Sequence, residues 1–339
     1  MLQDKELKAL KESLSTPKKI TIVSHRNPDG DAIGSSLGLL HFLNKLNHKV
    51  HFISPNEYPD FLAWMPDVDK TIIFEKDTEF ATTILKESDF IFTLDFNALH
   101  RTGELMEKTL QTLTVPMIMI DHHQAPDPYP LYTFSDTNYG STCEMIYDFI
   151  NALDFNNLID INSARSLYTG IVTDSGSFRF PKTTAKTHIC VADLISKGVN
   201  NSEIHNLLFD NASYSRLQLL GKALQNLTLL TDFKASYIFL SQDDLDNYNY
   251  KKGDTEGIVN YGLNIKGINI TAIFIENKEE GIIKISLRSK GDLDVNLLAR
   301  EHFSGGGHKN AAGGKSTLSL EKTVEEFKKL INALASKLK

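Results

Sequence analysis

The first half of the chain alternates short apolar runs with amphipathic stretches, a pattern that predicts a parallel sheet covered by helices. Apolar runs of strand length fall at residues 20–24, 49–53, 71–74, 90–94 and 117–120. Between them, residues 32–46, 79–86 and 103–112 carry helical spacing, and three further helical patterns follow at 141–153, 162–172 and 184–197. Leu7, Leu10 and Leu14 share one helical face, so the first residues also read as structure. A helical stretch at 214–229 leads into a second region with strands at 235–241, 268–275 and 282–289. A helix near 295–302, a glycine-rich loop at 305–307 and a lysine-rich terminal helix complete it. The expected fold class is α/β: an N-terminal parallel sheet with helices on both faces, a smaller C-terminal α/β domain, and an active site in the cleft between them. The domains are expected at 1–190 and 233–339, with a helical linker over 191–232.

A length of 339 residues agrees with two domains, because single cores stop growing at about 250–300 residues. Hydrophobic residues at 41% and charged residues at 23% are ordinary for a globular chain. No apolar run reaches the roughly 18 residues of a membrane span. The start, Met1-Leu2-Gln3-Asp4-Lys5-Glu6, lacks the apolar core of a secretion signal. Two cysteines, Cys143 and Cys190, cannot form a disulfide framework, which fits a reducing, cytoplasmic setting. The net charge of −7 argues against a broad basic surface for long nucleic acid, though not against a small phosphorylated substrate.

Where the polar residues fall sharpens this picture. The run 20–24 ends in His25-Arg26-Asn27-Pro28-Asp29-Gly30-Asp31, the run 90–94 in Asp95, and the run 117–120 in Asp121-His122-His123. Parallel α/β sheets gather ligands outside the carboxyl ends of their strands. Each residue has a plain alternative: Asp29-Gly30-Asp31 as a turn and helix cap, Asp95 as a cap, the paired histidines as surface residues. Their joint placement after three apolar strands favours a metal site. Mixed imidazole and carboxylate donors suit Mn²⁺, or Zn²⁺, Fe²⁺ or Co²⁺, and a bridging carboxylate can hold two ions about 3.5–4 Å apart for displacement at phosphorus.

Asp121-His122-His123, with His25-x-x-x-Asp29-x-Asp31 upstream, resembles the DHH phosphoesterase superfamily. Gly170-Ile171-Val172-Thr173-Asp174-Ser175-Gly176 is similar to that family's fourth motif. Gly305-Gly306-Gly307-His308-Lys309-Asn310-Ala311-Ala312-Gly313 resembles its associated C-terminal domain. The resemblance implies two Mn²⁺ per chain, with other divalent ions able to substitute. It implies that His25 and Asp29 bind one ion, that Asp31, His122 and Asp174 bind the other, and that Asp95 bridges them. By the same resemblance Asp121 orients a ligand by hydrogen bonding, and His123 faces the substrate as a phosphate contact or general acid. Asp174 rests on this resemblance alone, since residues 164–173 read as a helix.

The chain is shorter than RecJ-type exonucleases and lacks the Ser-Arg-Lys-Lys-Gln signature of family II pyrophosphatases. It looks like the nanoRNase group, which implies hydrolysis of short oligoribonucleotides to 5′-mononucleotides, and of 3′-phosphoadenosine 5′-phosphate, through attack by a metal-bridging hydroxide. Arg288 and Arg101 are the candidate phosphate forks. Gly305, Gly306, Gly307 and His308 would approach a phosphate, and Ser289 lies in the stretch that resembles the substrate strand; Asn260 is a weaker candidate. A phosphodiesterase for linear or cyclic dinucleotides and a non-catalytic nucleotide-binding module remain the alternatives. No membrane partner is expected, and a homodimer stays open.

Overall fold

The computed structural model describes residues 4–337; Met1, Leu2 and Gln3, which open the segment expected to lack a secretion signal, lie outside them. The chain divides into two compact units, Met1–Asn211 and Ala212–Lys339. The first contains α1 (Asp4–Ser13), β1 (Lys19–Val23), α2 (Gly30–Lys45), β2 (Lys49–Ser54), β3 (Ile72–Ile73), α3 (Thr78–Lys86) and β4 (Phe90–Leu94). It continues with α4 (Glu104–Gln111), β5 (Met117–Asp121), β6 (Tyr132–Ser135), α5 (Thr142–Ala152), α6 (Ile161–Asp174), α7 (Ala185–Ser196) and α8 (Asn201–Phe209).

The six strands pair in the order β3-β2-β1-β4-β5-β6, and every pairing is parallel. Both faces are covered. Ile20, Ile22, Phe92, Leu94, Ile118 and Ile120 join the core with α2, α5 and α6, while Val23, Ile53, Ile91 and Met117 pack with α3 and α4. Burial on both faces is why these strands read as unbroken apolar runs. The short, half-buried β6 has no such run, so its edge position was not predictable from the pattern.

One contact fixes the geometry of the site. Gly30, Gly34 and Gly38 repeat at the i, i+4 spacing that stacks residues on one helical face, and that face meets α6. A Cβ at Gly34 would lie 2.6 Å from the Ser166 carbonyl, and one at Gly38 would lie 2.5 Å from Leu167. A Cβ at Gly170 would lie 2.9 Å from an Asp31 oxygen. The helices therefore touch backbone to backbone, and the C-terminus of α6 comes to the N-terminus of α2.

The second unit contains α9 (Tyr214–Gln225), β7 (Thr228–Leu230), β8 (Ala235–Leu240), α10 (Gln242–Asn247), α11 (Asn260–Leu263), β9 (Ile270–Asn277) and β10 (Ile282–Ser289). It closes with α12 (Val295–His302), β11 (Gly306–His308), β12 (Ala311–Ser316) and α13 (Leu320–Lys337). Its sheet runs β11-β12-β10-β9-β8-β7, antiparallel except for β8 with β9. Of residues 305–307, expected as a loop, Gly306 and Gly307 instead begin the edge strand β11, because glycines let it lie flush on β12. The stretch 191–232 belongs to both units: Val191, Leu194, Ile204 and Leu208 sit in the first core, Leu219 and Ala223 in a core of the second. Among the described residues no helix is long and apolar enough to cross a membrane.

Gly34→Ala should destabilise the first unit by about 1–3 kcal/mol, as overpacking does, although alanine in a helix ordinarily gains about 1 kcal/mol over glycine. Gly221→Ala on α9, where an added Cβ meets nothing within 4 Å, should be neutral or stabilising. Urea unfolding of both variants checks this pair of opposite signs.

Candidate functional site

The turn between β1 and α2 carries three of the expected residues. Asp29 caps α2, its Oδ1 accepting from the amides of Asp31 and Ala32 at 3.0 Å each. Asp31 is buried in the first turn, and its two oxygens accept amide hydrogen bonds from Thr142 (2.6 Å) and Cys143 (2.9 Å). Those amides open α5, so the positive end of that helix faces the carboxylate. Asp95 follows β4 with φ of +65°, a left-handed conformation that costs a non-glycine residue about 1–3 kcal/mol. Its amide donates to the Ile120 carbonyl (3.1 Å), and its Oδ1 accepts from the Thr142 hydroxyl (3.0 Å).

The histidines close the arrangement. His25 Nδ1 donates to the Arg26 carbonyl (3.0 Å) and His122 Nδ1 to the Tyr139 carbonyl (3.3 Å). A carbonyl only accepts, so the hydrogen sits on Nδ1 and Nε2 turns toward the carboxylates. His25 Nε2 lies 3.5 Å from Asp95 Oδ2 and 3.9 Å from Asp29 Oδ1. His122 Nε2 lies 3.3 Å from Asp95 Oδ1, 3.4 Å from Asp174 Oδ2 and 3.7 Å from Asp31 Oδ2. Two groups result, His25/Asp29/Asp95 and Asp31/His122/Asp174, each with donor atoms within 4.8 Å of one another. Asp95 turns one oxygen to each. These six residues could hold two divalent cations, and imidazole with carboxylate is a donor set that first-row transition ions accept.

Asp121 holds His123 rather than His122: one oxygen is 2.7 Å from His123 Nδ1, and the other accepts the His123 amide at 3.1 Å. The two histidine rings meet edge to face at 5.0 Å. Arg101 lies in the short 3-10 turn Leu99–Thr102, where its carbonyl accepts the Arg26 amide (2.8 Å). The pattern of apolar runs had no means of finding Thr142, Cys143 or the Tyr139 carbonyl. The Ser141-x-x-Glu144 signature marks where α5 begins, since Ser141 accepts the Glu144 amide, but not that it faces Asp31.

The electrostatics show a cluster short of positive charge. Burial raises Asp31 well above the usual carboxylate range, and the Asp95 and Asp174 charges add to it despite the two amide bonds. Burial also pushes Asp174 up to about 7, against the attraction of His122. Burial opposes ionisation of Asp95 too, but hydrogen bonds from His122 and His25 outweigh it and hold Asp95 low. His122 is raised to about 10: burial lowers it, and Asp95, Asp174 and Asp31 together overcome that. For His25, burial is likewise outweighed by Asp95 and Asp29, while the Arg101 charge opposes the rise. Without a cation, protons do a cation's work here.

In the second unit, Arg288, Ala311 and His308 occupy one cross-strand row, with Thr271 and Ser236 continuing it. Directly paired residues point to the same face, so Arg288 and His308 share one, with Ala311 between. The opposite face carries Leu287, Ala272, Tyr237 and Ala312 into the core with α12 and α13. The Ser289 hydroxyl donates to the Leu293 carbonyl (2.6 Å) and accepts from Asn310 (2.9 Å), which ties it to the turn. Gly305 and Gly307 are demanded by the approach of β12: a Cβ at Gly307 would lie 2.8 Å from the Ala312 Cα, and φ there is +150°. At Gly306 a Cβ would meet only ordinary contact, with Asn296 Oδ1 at 3.7 Å and Arg300 Nε at 4.0 Å. Asn260 begins α11.

Two family models match the chain: the DHH family, N-terminal domain, over residues 19–171, and the DHHA1 domain over residues 232–337. The bifunctional oligoribonuclease and PAP phosphatase NrnA of Bacillus subtilis is 29% identical over 86% of this chain and 88% of its own. The probable bifunctional oligoribonuclease and PAP phosphatase NrnA of Streptococcus mutans is 30% identical over 93% and 95%. The crystal structure of an exopolyphosphatase-related protein from Bacteroides fragilis superposes with a TM-score of 0.94 at 36% identity, covering 100% of this chain and 98% of that one. Matched along both domains, the chain belongs to the DHH phosphoesterase family and is a hydrolase.

Proposed function

We propose that this hydrolase uses two divalent cations, Mn²⁺ by donor chemistry, to cleave short oligoribonucleotides to 5′-mononucleotides and to dephosphorylate 3′-phosphoadenosine 5′-phosphate. The observation that carries the reading is Asp95, whose two oxygens face the two donor groups. The relatives from Bacillus and Streptococcus, similar along nearly the whole chain, support the substrate class. So does the Arg288/His308 row, a planar guanidinium fork and an imidazole on one sheet face with Ala311 between them.

When bound, two such cations supply an activated water and positive charge for the phosphoryl oxygens. His25 and Asp29 would hold one, Asp31, His122 and Asp174 the other, and Asp95 both. The remaining chemistry falls to the protein. Asp121 would accept from His123 Nδ1 and so orient the ring with Nε2 outward, as a buried carboxylate does for a catalytic histidine. His123 can then give a proton from Nε2 to the departing ribose oxygen, a role worth about 10²–10⁴-fold. Residues 25–174 would carry the cation site in this scheme, and the DHHA1 domain would grip a phosphate through Arg288 and His308.

Three outcomes test this. A panel of two- to five-nucleotide RNAs, 3′-phosphoadenosine 5′-phosphate, a cyclic dinucleotide, its linear product and pyrophosphate should show turnover with Mn²⁺ on the first two, lost in Asp95→Ala and His122→Ala; a preference for pyrophosphate overturns the reading. His123→Ala should lower kcat about 10²–10⁴-fold on RNA but far less on a nitrophenyl ester, whose leaving group needs no proton; equal losses would remove His123 as the acid. With His122 raised to about 10 and Asp174 to about 7, the imidazole is protonated and the carboxyl about half protonated at pH 7. A cation must displace those protons, so its affinity strengthens as pH rises from about 6 to 8. Calorimetric titration of Mn²⁺ in buffers of different ionisation enthalpy should register proton release at about pH 7, and a buffer-independent heat would contradict it.

A further inference from the structure

The cluster opens on one side. His25, Asp31, Asp95, His122 and His123 are all buried, whereas the side chain of Asp174 is 28% exposed and that of Asp29 51%. A substrate phosphate must enter past these two. The segment immediately after Asp174 therefore borders the entrance, and its conformation is unusual. Gly176, Ser177 and Phe178 are three consecutive residues with left-handed φ, at +56°, +57° and +65°. Two of them are not glycine, so the segment stores strain of about 1–3 kcal/mol per such residue.

That strain divides the aromatic residues of the segment between inside and outside. Phe178 turns inward, 6.5 Å from the Tyr168 ring and 5.4 Å from that of His188. Phe180 stays outside, 40% exposed, with its ring over the backbone of Gly176 where a Cβ would lie 2.5 Å from it. Ser175 anchors the loop: its carbonyl accepts the amides of Arg179 and Phe180 (3.0 Å each) and its hydroxyl accepts that of Phe178 (3.0 Å). Arg179 Nε donates to the Gly176 carbonyl (2.7 Å), closing the turn. Two residues after Phe180, Lys182 feels the charges of Asp174, Asp121 and Asp136, yet it has no ion pair or hydrogen bond from its ammonium among the described residues. Burial lowers its pKa, and those carboxylates only partly offset the effect.

We propose that residues 175–183 read the nucleotide beside the reacting phosphate, the exposed ring of Phe180 stacking on its base and the Lys182 ammonium meeting its phosphate. This deepens the phosphoesterase reading and rests on it for the class of ligand. A ring held rigidly at the entrance loses little entropy on stacking, and base–aromatic stacking is worth about 1–3 kcal/mol. It is also indifferent to which base arrives, as an enzyme for mixed short sequences requires.

The test is binding, read apart from turnover. With Mn²⁺ present, calorimetry compares adenosine 5′-monophosphate with ribose 5-phosphate, which lacks the base. The wild-type chain should prefer the nucleotide by about tenfold or more, the magnitude stacking supplies. Phe180→Ala should collapse that preference, Phe180→Trp should keep it, and Lys182→Gln should weaken both ligands together while preserving the ratio. No preference in the wild type, or an unchanged ratio in Phe180→Ala, overturns the proposal. Loss of turnover on the substrate panel would instead sink the functional reading, because the affinity ratio does not depend on hydrolysis.

Discussion

The close approach of α2 to α6 is the contact on which the site depends. Gly30, Gly34 and Gly38 remove side chains from one face of α2, and Gly170 does the same on α6. Without that clearance, the antiparallel helices would stand apart by the width of a side chain. Asp31 and Asp174, at opposite ends of their helices in sequence terms, then converge within reach of one imidazole. The buried thiol of Cys143 fills the remaining corner, 3.6 Å from the Asp31 carbonyl oxygen. Burial and the neighbouring carboxylates push this thiol upward, which leaves it an inert packing group.

Gathering four carboxylates around two imidazoles is unfavourable in itself, and the surrounding fold offsets it locally. The N-terminus of α5 supplies two amides to Asp31 and a hydroxyl to Asp95. Backbone carbonyls at Arg26 and Tyr139 orient the histidines so that their other nitrogens face inward. The left-handed turn at Asp95 aims its carboxylate between the two groups, strain stored where the chemistry needs it. What remains uncompensated is raised at Asp31 and Asp174, and that remainder is what a divalent cation would relieve.

The second unit solves a simpler problem with a different sheet. Pairing in register places Arg288 and His308 on one face, while their neighbours Leu287 and Ala312 fill the core on the other. Its glycines serve the packing of β11 on β12 at Gly305 and Gly307, while a Cβ at Gly306 would meet only ordinary contact with Asn296 and Arg300. A glycine triplet thus carries a structural duty at two of its three positions.

The sequence by itself determined the parallel core and the places where chemistry could gather. Strands buried on both faces must be apolar throughout, so their ends announce themselves as the first polar residues, and His25, Asp29, Asp31, Asp95 and His122 were legible for that reason. Asp174 was legible only by family resemblance, because a helix end carries no comparable mark. Tertiary structure alone decided the rest: that α5 points its amides at Asp31, that Asp121 serves His123, and that Gly306 and Gly307, expected in a loop, begin an edge strand. These depend on contacts between residues far apart in the chain, over 100 positions for Asp31 with Thr142. Local pattern records how a segment meets its own core, and it holds no record of which distant segment arrives there.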